Sequence, residues 1–210
     1  MRFLDDVGVA QVRQYFDPAQ GFSGAAFDTF AGGGDAGAHR YEFTAEDLVA
    51  VTLLDVVVPG HAALEILDQR ASEFNALLAE VPHEVDLWDA PMGLVDATSD
   101  ASQLWGLLTA LPNVGWVTAS KLLARKRPRL LPVYDSVVKA ALQPDVESFW
   151  LPLRQELLNG GVVEQLREVR SAAGLSERIS LLRVLDVAVW MRNRRASDCP
   201  LDFAPCPNLR

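Results

Sequence analysis

Between Leu111 and Val138 the chain reads LPNVGWVTASKLLARKRPRLLPVYDSVV, and no other stretch restricts the fold as much. Leu111 and Pro112 close an apolar segment, Asn113 and Gly115 accept positive φ cheaply, and Thr118-Ala119 opens a new helical run. The stretch therefore predicts two helices joined by a tight hairpin. In the second helix Val117, Leu122 and Leu123 share a side fit for burial, while Lys121 and Arg125, four apart, share another. Backbone N–H groups of such a hairpin, with the positive end of the next helix dipole behind them, suit a phosphate. Asp135 follows as an isolated carboxylate where a further helix begins, a place where an acid caps the helix and is held by its dipole.

The rest of the chain also reads as helix, and strands are scarce. A short helix is expected over residues 2–15, and residues 16–40 are rich in Gly, Ala and Asp with no sustained period. Gly32-Gly33-Gly34 lacks the following Lys-Ser/Thr of a phosphate-binding P-loop and reads as a mobile loop. Thr44, followed by Glu46 and Asp47, opens a helix to about residue 55 whose nearly continuous apolar surface predicts a central place in the core. Leu64, Leu67, Ala71, Phe74, Leu77 and Leu78 recur at three- and four-residue steps, which predicts one long helix over residues 60–81, ended before Pro82. His61 and His83 lack the paired spacing of metal ligands and read as solvated. Residues 87–100 are a loop anchored by Trp88, and residues 101–110 form the first helix of the hairpin. Gln143-Pro144 breaks the helix begun near Asp135; three more are expected over residues 146–158, 162–173 and 179–194. Arg183 and Asp186, three apart amid apolar residues of the last helix, read as an internal ion pair. The organisation expected is an N-terminal helix and glycine-rich loop (1–43), a helical domain (44–197) and a proline-rich tail (198–210).

A chain of 210 residues, half of them apolar, can bury one full core or divide into two small lobes that share it. No apolar run reaches the roughly 18 residues of a spanning helix, and the first residues lack a signal-peptide core, so a cytoplasmic protein with no membrane partner is expected. Cys199 and Cys206, both in the tail, cannot supply the four thiolates of an iron–sulfur cluster. No cofactor is implied. The net charge of −9 opposes generic nucleic-acid binding, yet Lys121, Arg125, Lys126, Arg127 and Arg129 place five positive charges within nine residues, and Arg192, Arg194 and Arg195 form a second cluster.

Leu111-Pro112-Asn113-Val114-Gly115, then Thr118-Ala119, then Pro132-Val133 and Asp135-Ser136 before Val138, resemble the helix-hairpin-helix base-excision DNA glycosylase superfamily. The resemblance implies an all-α fold of two helical lobes with a cleft, the hairpin lining one side, and double-stranded DNA as partner. It also implies that Asp135 stabilises the sugar cation formed as a damaged base leaves. The position that holds a lysine in strand-cutting members is Val117, 18 residues before Asp135, so a monofunctional enzyme or none is implied. Asn113, Gly115, Trp116, Thr118, Lys121, Arg125 and Lys126 are the expected DNA-binding residues. The chain departs from the pattern where Asn113 replaces a hairpin glycine, where Tyr134 stands between the valine and the aspartate, and at Ser136 and Val137. A larger part, from Phe43-Thr44 through Trp190, looks like an uncharacterised bacterial family with a domain of unknown function.

Three functions follow from different classes. They are a monofunctional DNA N-glycosylase, a non-catalytic helix-hairpin-helix nucleic-acid-binding protein, and an acidic helical protein that binds another protein or a small molecule. A deep aromatic pocket next to Asp135 favours the first. A closed pocket with exposed basic residues favours the second, and a paired basic cluster the third.

Overall fold

The computed structural model describes residues 4–142 and 150–194. These form α-helices linked by short turns, with no strand among them, and the protein is all-α. Local chemistry sets most of the helix starts. Asp5 opens α1 (Asp6–Phe16) by accepting the Gly8 N–H at 2.9 Å. At the start of α2 (Ala45–Thr52) the Asp47 carboxylate reaches back to the Thr44 N–H at 3.1 Å. Ser99 caps α5 (Asp100–Thr109), and Ser180 caps α10 (Leu181–Asn193) by accepting the Arg183 N–H at 3.1 Å.

The long helix expected over residues 60–81 is interrupted. It forms α3 (Gly60–Leu64), one π turn over Glu65–Gln69, and α4 (Ala71–Glu80), with Arg70 between them at φ −124°, ψ 19°. The wider turn shifts the inward row by part of a revolution, so Ala62 and Ile66 are fully buried while Leu64 faces solvent. The helix after Thr44 is shorter than expected and peripheral: it buries Asp47, Ala50 and Val51 but exposes Val49. Its chain reverses at Asp55, a non-glycine residue at φ 60°.

The central positions belong instead to α10 and to α6 (Trp116–Lys126). Every residue from Thr118 to Lys126 is buried, so α6 lacks the polar face its pattern predicts. The helix packs between α2 and α5, and α10 packs against α1, α9 (Val162–Ala172) and α7 (Ser136–Leu142). One connected apolar core runs beneath all of them and includes α8 (Trp150–Leu158), in keeping with the single core expected for a chain of this length. The N-terminal segment is part of that core through Val12, Tyr15, Phe27 and Phe43. Trp88 is buried, as its loop predicts. Among the described residues no helix is long and apolar enough to cross a membrane. The expected break at Gln143-Pro144, the start of the following helix and the tail with both cysteines lie outside the described residues.

The glycine run is packed at one end. Gly32 and Gly33 take φ of 88° and 100°, and Gly34 lies against Arg125, where an added Cβ would come within 2.8 Å of Cγ and Nε. Gly34→Ala is expected to cost about 1–3 kcal/mol through overpacking, because the arginine it strikes is held on several sides. Gly106→Ala, with open space around an exposed site inside α5, is expected to gain about 0.5–1 kcal/mol. Urea denaturation of the two variants checks the contrast, and equal effects would mean that the glycine run is not clamped.

Candidate functional site

Three apolar anchors, Leu130, Leu131 and Val133, tie the strap after α6 into the core and deliver Asp135 to the start of α7. There its Oδ1 accepts the N–H groups of Val137 and Val138, both at 2.9 Å. The cap occupies one carboxylate oxygen, and the residue lines a cavity of about 640 Å³, within the usual range for small-ligand sites. Val117 and Lys121 of α6 line it with Asp135, and Arg183, Asp186 and Trp190 of α10 line it as well. Tyr15 and Phe22 close the side, stacked at 5.2 Å, with Trp190 edge-on to them at 5.9 and 6.1 Å. Lys121, Trp190, Asp186 and Arg183 are thus brought to one place from two central helices. Residues 183, 186 and 190 follow helical spacing along one face, which is the signal that groups them; nothing in the sequence announces Tyr15 or Phe22.

The floor is heavily charged. Arg183 donates through Nε to Asp28 at 3.1 Å, through Nη1 to Asp186, and through Nη2 to the Tyr15 hydroxyl at 2.8 Å and the Gly24 carbonyl at 2.9 Å. The expected Arg183–Asp186 pair exists, but it stands on the cavity wall and reaches two further elements. Burial pushes the Asp186 carboxyl up to about 7, opposed by Arg183 and reinforced by the negative charge of Asp135. Burial also raises Asp28, against the pull of Arg183. Lys121 donates to the Leu54 carbonyl at 2.5 Å, and burial lowers its pKa against the opposing influence of Asp135.

The cationic stretch lies inside the protein. Arg125 and Lys126 are 3% and 0% exposed, so neither is available to a DNA phosphate, and their expected DNA-binding role is corrected. Asp47 accepts Arg125 Nε at 3.1 Å and Lys126 Nζ at 2.9 Å. The remaining donors of Arg125 hold the carbonyls of Phe27, Asp28 and Phe30, and Lys126 holds that of His39. Arg127 is wholly buried and donates to the carbonyls of Val81, Arg40 and Leu78; burial lowers its pKa to about 10. These side chains fasten residues 27–41 and the end of α4 onto α6. Pairing that spans the whole chain explains why charge density within nine residues does not signal a surface patch. Among the described residues, five interior cations outnumber three interior carboxylates, Asp28, Asp47 and Asp186, so the exterior is more acidic than the net charge of −9.

The hairpin itself is exposed at Pro112, Asn113 and Gly115. Asn113 takes the positive φ, at 60°, whereas Gly115 is the extended N-cap of α6 at φ −82°. Trp116 is half-buried against Tyr134, with ring centroids 5.2 Å apart, and Lys139 stands over its ring at 5.1 Å. Thr118 is buried, and Lys121 faces the cavity rather than the hairpin's outer surface. Lys139, an exposed cation beside the hairpin, was not among the expected contacts; its place one turn after Asp135 is the signal for it. His61 is exposed as expected and contacts the Pro112 carbonyl at 2.8 Å. His83 is half-buried, where a solvated side chain was expected: it lies 3.0 Å from Arg40 Nη1 and edge-on to the Tyr41 ring.

No curated protein and no solved structure matches this chain. One family model does match, over residues 8–193, which takes in every described helix beyond the first residues of α1 and every cavity-lining residue. The chain therefore belongs to the family of unknown function DUF6308.

Proposed function

We propose that the cavity beside Asp135 binds a nucleobase and that the protein hydrolyses the N-glycosidic bond of a damaged nucleotide in duplex DNA. The observation that carries this reading is the cavity itself: a space with ample room for a base, lined by Asp135 and by three mutually packed aromatic rings. A flat ring gains apolar contact and edge or face interactions there. A carboxylate held by two backbone N–H groups keeps its place while positive charge develops on the sugar, and that is where such a charge stabilises most. The exposed hairpin from Asn113 to Trp116, with Lys139 beside it, is the part suited to a backbone phosphate. A second reading is favoured by the burial of Arg125, Lys126 and Arg127 and by the acidic exterior. In it the same cavity acts on a free nucleoside, which needs no cationic surface.

The test is base release from a panel of lesion-bearing duplexes and from the corresponding free nucleosides at low salt. Release from a duplex, leaving an abasic site without a strand break, is the expected result. Release from nucleosides alone selects the second reading, and no release from either rejects both. Val117 offers no amine, but Lys121 lines the same cavity one turn further along α6. No borohydride-trapped adduct is expected, because Val117 holds the position of the strand-cutting lysine and the Lys121 Nζ donates to the Leu54 carbonyl. An adduct that disappears in Lys121→Gln would assign strand cutting to this protein.

A further inference from the structure

The cavity holds more than the single carboxylate the proposed reaction starts from. Arg183 supplies one positive charge to two buried carboxylates, Asp28 and Asp186, whose side chains are each 4% exposed. Lys121 supplies a second positive charge, which Asp135 and Asp55 face together with Asp186. Asp28 and Asp186 thus share one guanidinium in a place with little water, and a proton on one of the two relieves their mutual repulsion. Two sites compete for it. Asp28 is faced by Arg183 and also by Arg125, and both stabilise its ionised form. Asp186 is faced by Arg183 on its own helix, by Lys121 from α6 and by Asp135 from the start of α7, and this last charge opposes ionisation. Tyr15 of α1, bonded to the same guanidinium, stays neutral because burial raises its pKa.

We propose that Asp186 is the proton donor of this site, presenting a carboxylic acid to the departing base while Asp135 faces the sugar as a carboxylate. Burial, with Asp135 opposite, holds the Asp186 carboxyl near 7, so the acid is present at neutral pH and is regenerated there. As the bond between the sugar C1′ and the base nitrogen breaks, its electron pair goes to the nitrogen, which takes the Asp186 proton. Water then adds through oxygen to the sugar cation, and the proton it loses returns to the Asp186 carboxylate. The products are the free base and the sugar hemiacetal. This role rests on the N-glycosidic reading, whereas the location of the proton does not.

The first test uses no substrate. A carboxyl whose pKa is raised by folding contributes stability that is fully present below the ordinary carboxylate range and is lost as pH rises through about 7. Asn imitates the neutral acid and cannot titrate, so Asp186→Asn should lack the loss of stability that the parent shows between about pH 4 and 7. Asp28→Asn leaves Arg183 to Asp186 alone and should move the loss to lower pH. If Asp186→Asn leaves the loss intact, the assignment is overturned. Should Asp186→Asn fail to fold, infrared spectroscopy of the parent decides: the band of a buried carboxylic acid must persist at pH 6 and vanish by pH 8. Its absence at both overturns the assignment. The second test follows base release from the substrate the parent cleaves. Asp186→Asn should lower kcat by about 10²-fold or more, leave KM nearly unchanged and remove the alkaline fall in rate near pH 7. A parent that releases no base overturns the donor role together with the reading it rests on. A normal parent with a fully active Asp186→Asn variant overturns the donor role alone.

Discussion

Replacement of Asp47 by alanine is expected to cost about 3–5 kcal/mol of folding stability, a large part of what a domain of this size possesses. Asp47 Oδ1 accepts Arg125 Nε, and Oδ2 accepts Lys126 Nζ and the Thr44 N–H. Its loss strands two cations in the interior with only carbonyl partners, removes the contact that starts α2, and loosens the segment that Arg125 clamps at Phe27, Asp28 and Phe30. Asp86→Ala is the control. It removes the partner of Arg129, whose side chain is 46% exposed, and solvent compensates for that loss to within about 1 kcal/mol. Urea denaturation of both variants measures the difference. Equal, small losses would show that the interior cations are neutralised by carbonyl dipoles without Asp47.

The largest effect on activity is expected from Asp135→Asn. Asn caps a helix nearly as well as Asp, so the two bonds to the Val137 and Val138 N–H groups are kept and stability should change by less than about 1 kcal/mol. The negative charge beside the cavity is lost. Base release should then fall by about 10²-fold or more while duplex binding is retained or tightened, because this charge acts on the transition state and not on the bound ground state. Single-turnover release and equilibrium binding on the same substrate separate the two effects. Full activity in this variant would reduce Asp135 to a helix cap and remove the mechanism proposed for it.

Local rules succeeded wherever the controlling interaction lies within a few residues. The Thr44 start, the Asp135 cap, the turn at Asn113 and the Arg183–Asp186 pair are all interactions over at most three residues, and each is present. The same rules erred where a distant partner decides. The apolar spacing over residues 60–81 does not reveal the π turn that carries Ile66 inward and Leu64 outward. Gly34 reads as a free loop because Arg125, against which it packs, lies about ninety positions away. The amphipathic reading of α6 assigned its charged side to solvent, and α2 with the chain from Phe27 to Tyr41 covers that side instead.

The sequence by itself therefore determined an all-α protein, most of its helix boundaries and the carboxylate that opens α7. Capping, turn formation and apolar periodicity are short-range effects, and their energies are set by neighbours along the chain. Tertiary structure alone decided that Arg125, Lys126 and Arg127 lie in the core, and that Asp135, Lys121, Asp186 and three aromatic rings meet around one cavity. Burying a charge is favourable only when its partners arrive with matching geometry, and most of those partners come from residues 46 to 168 positions away.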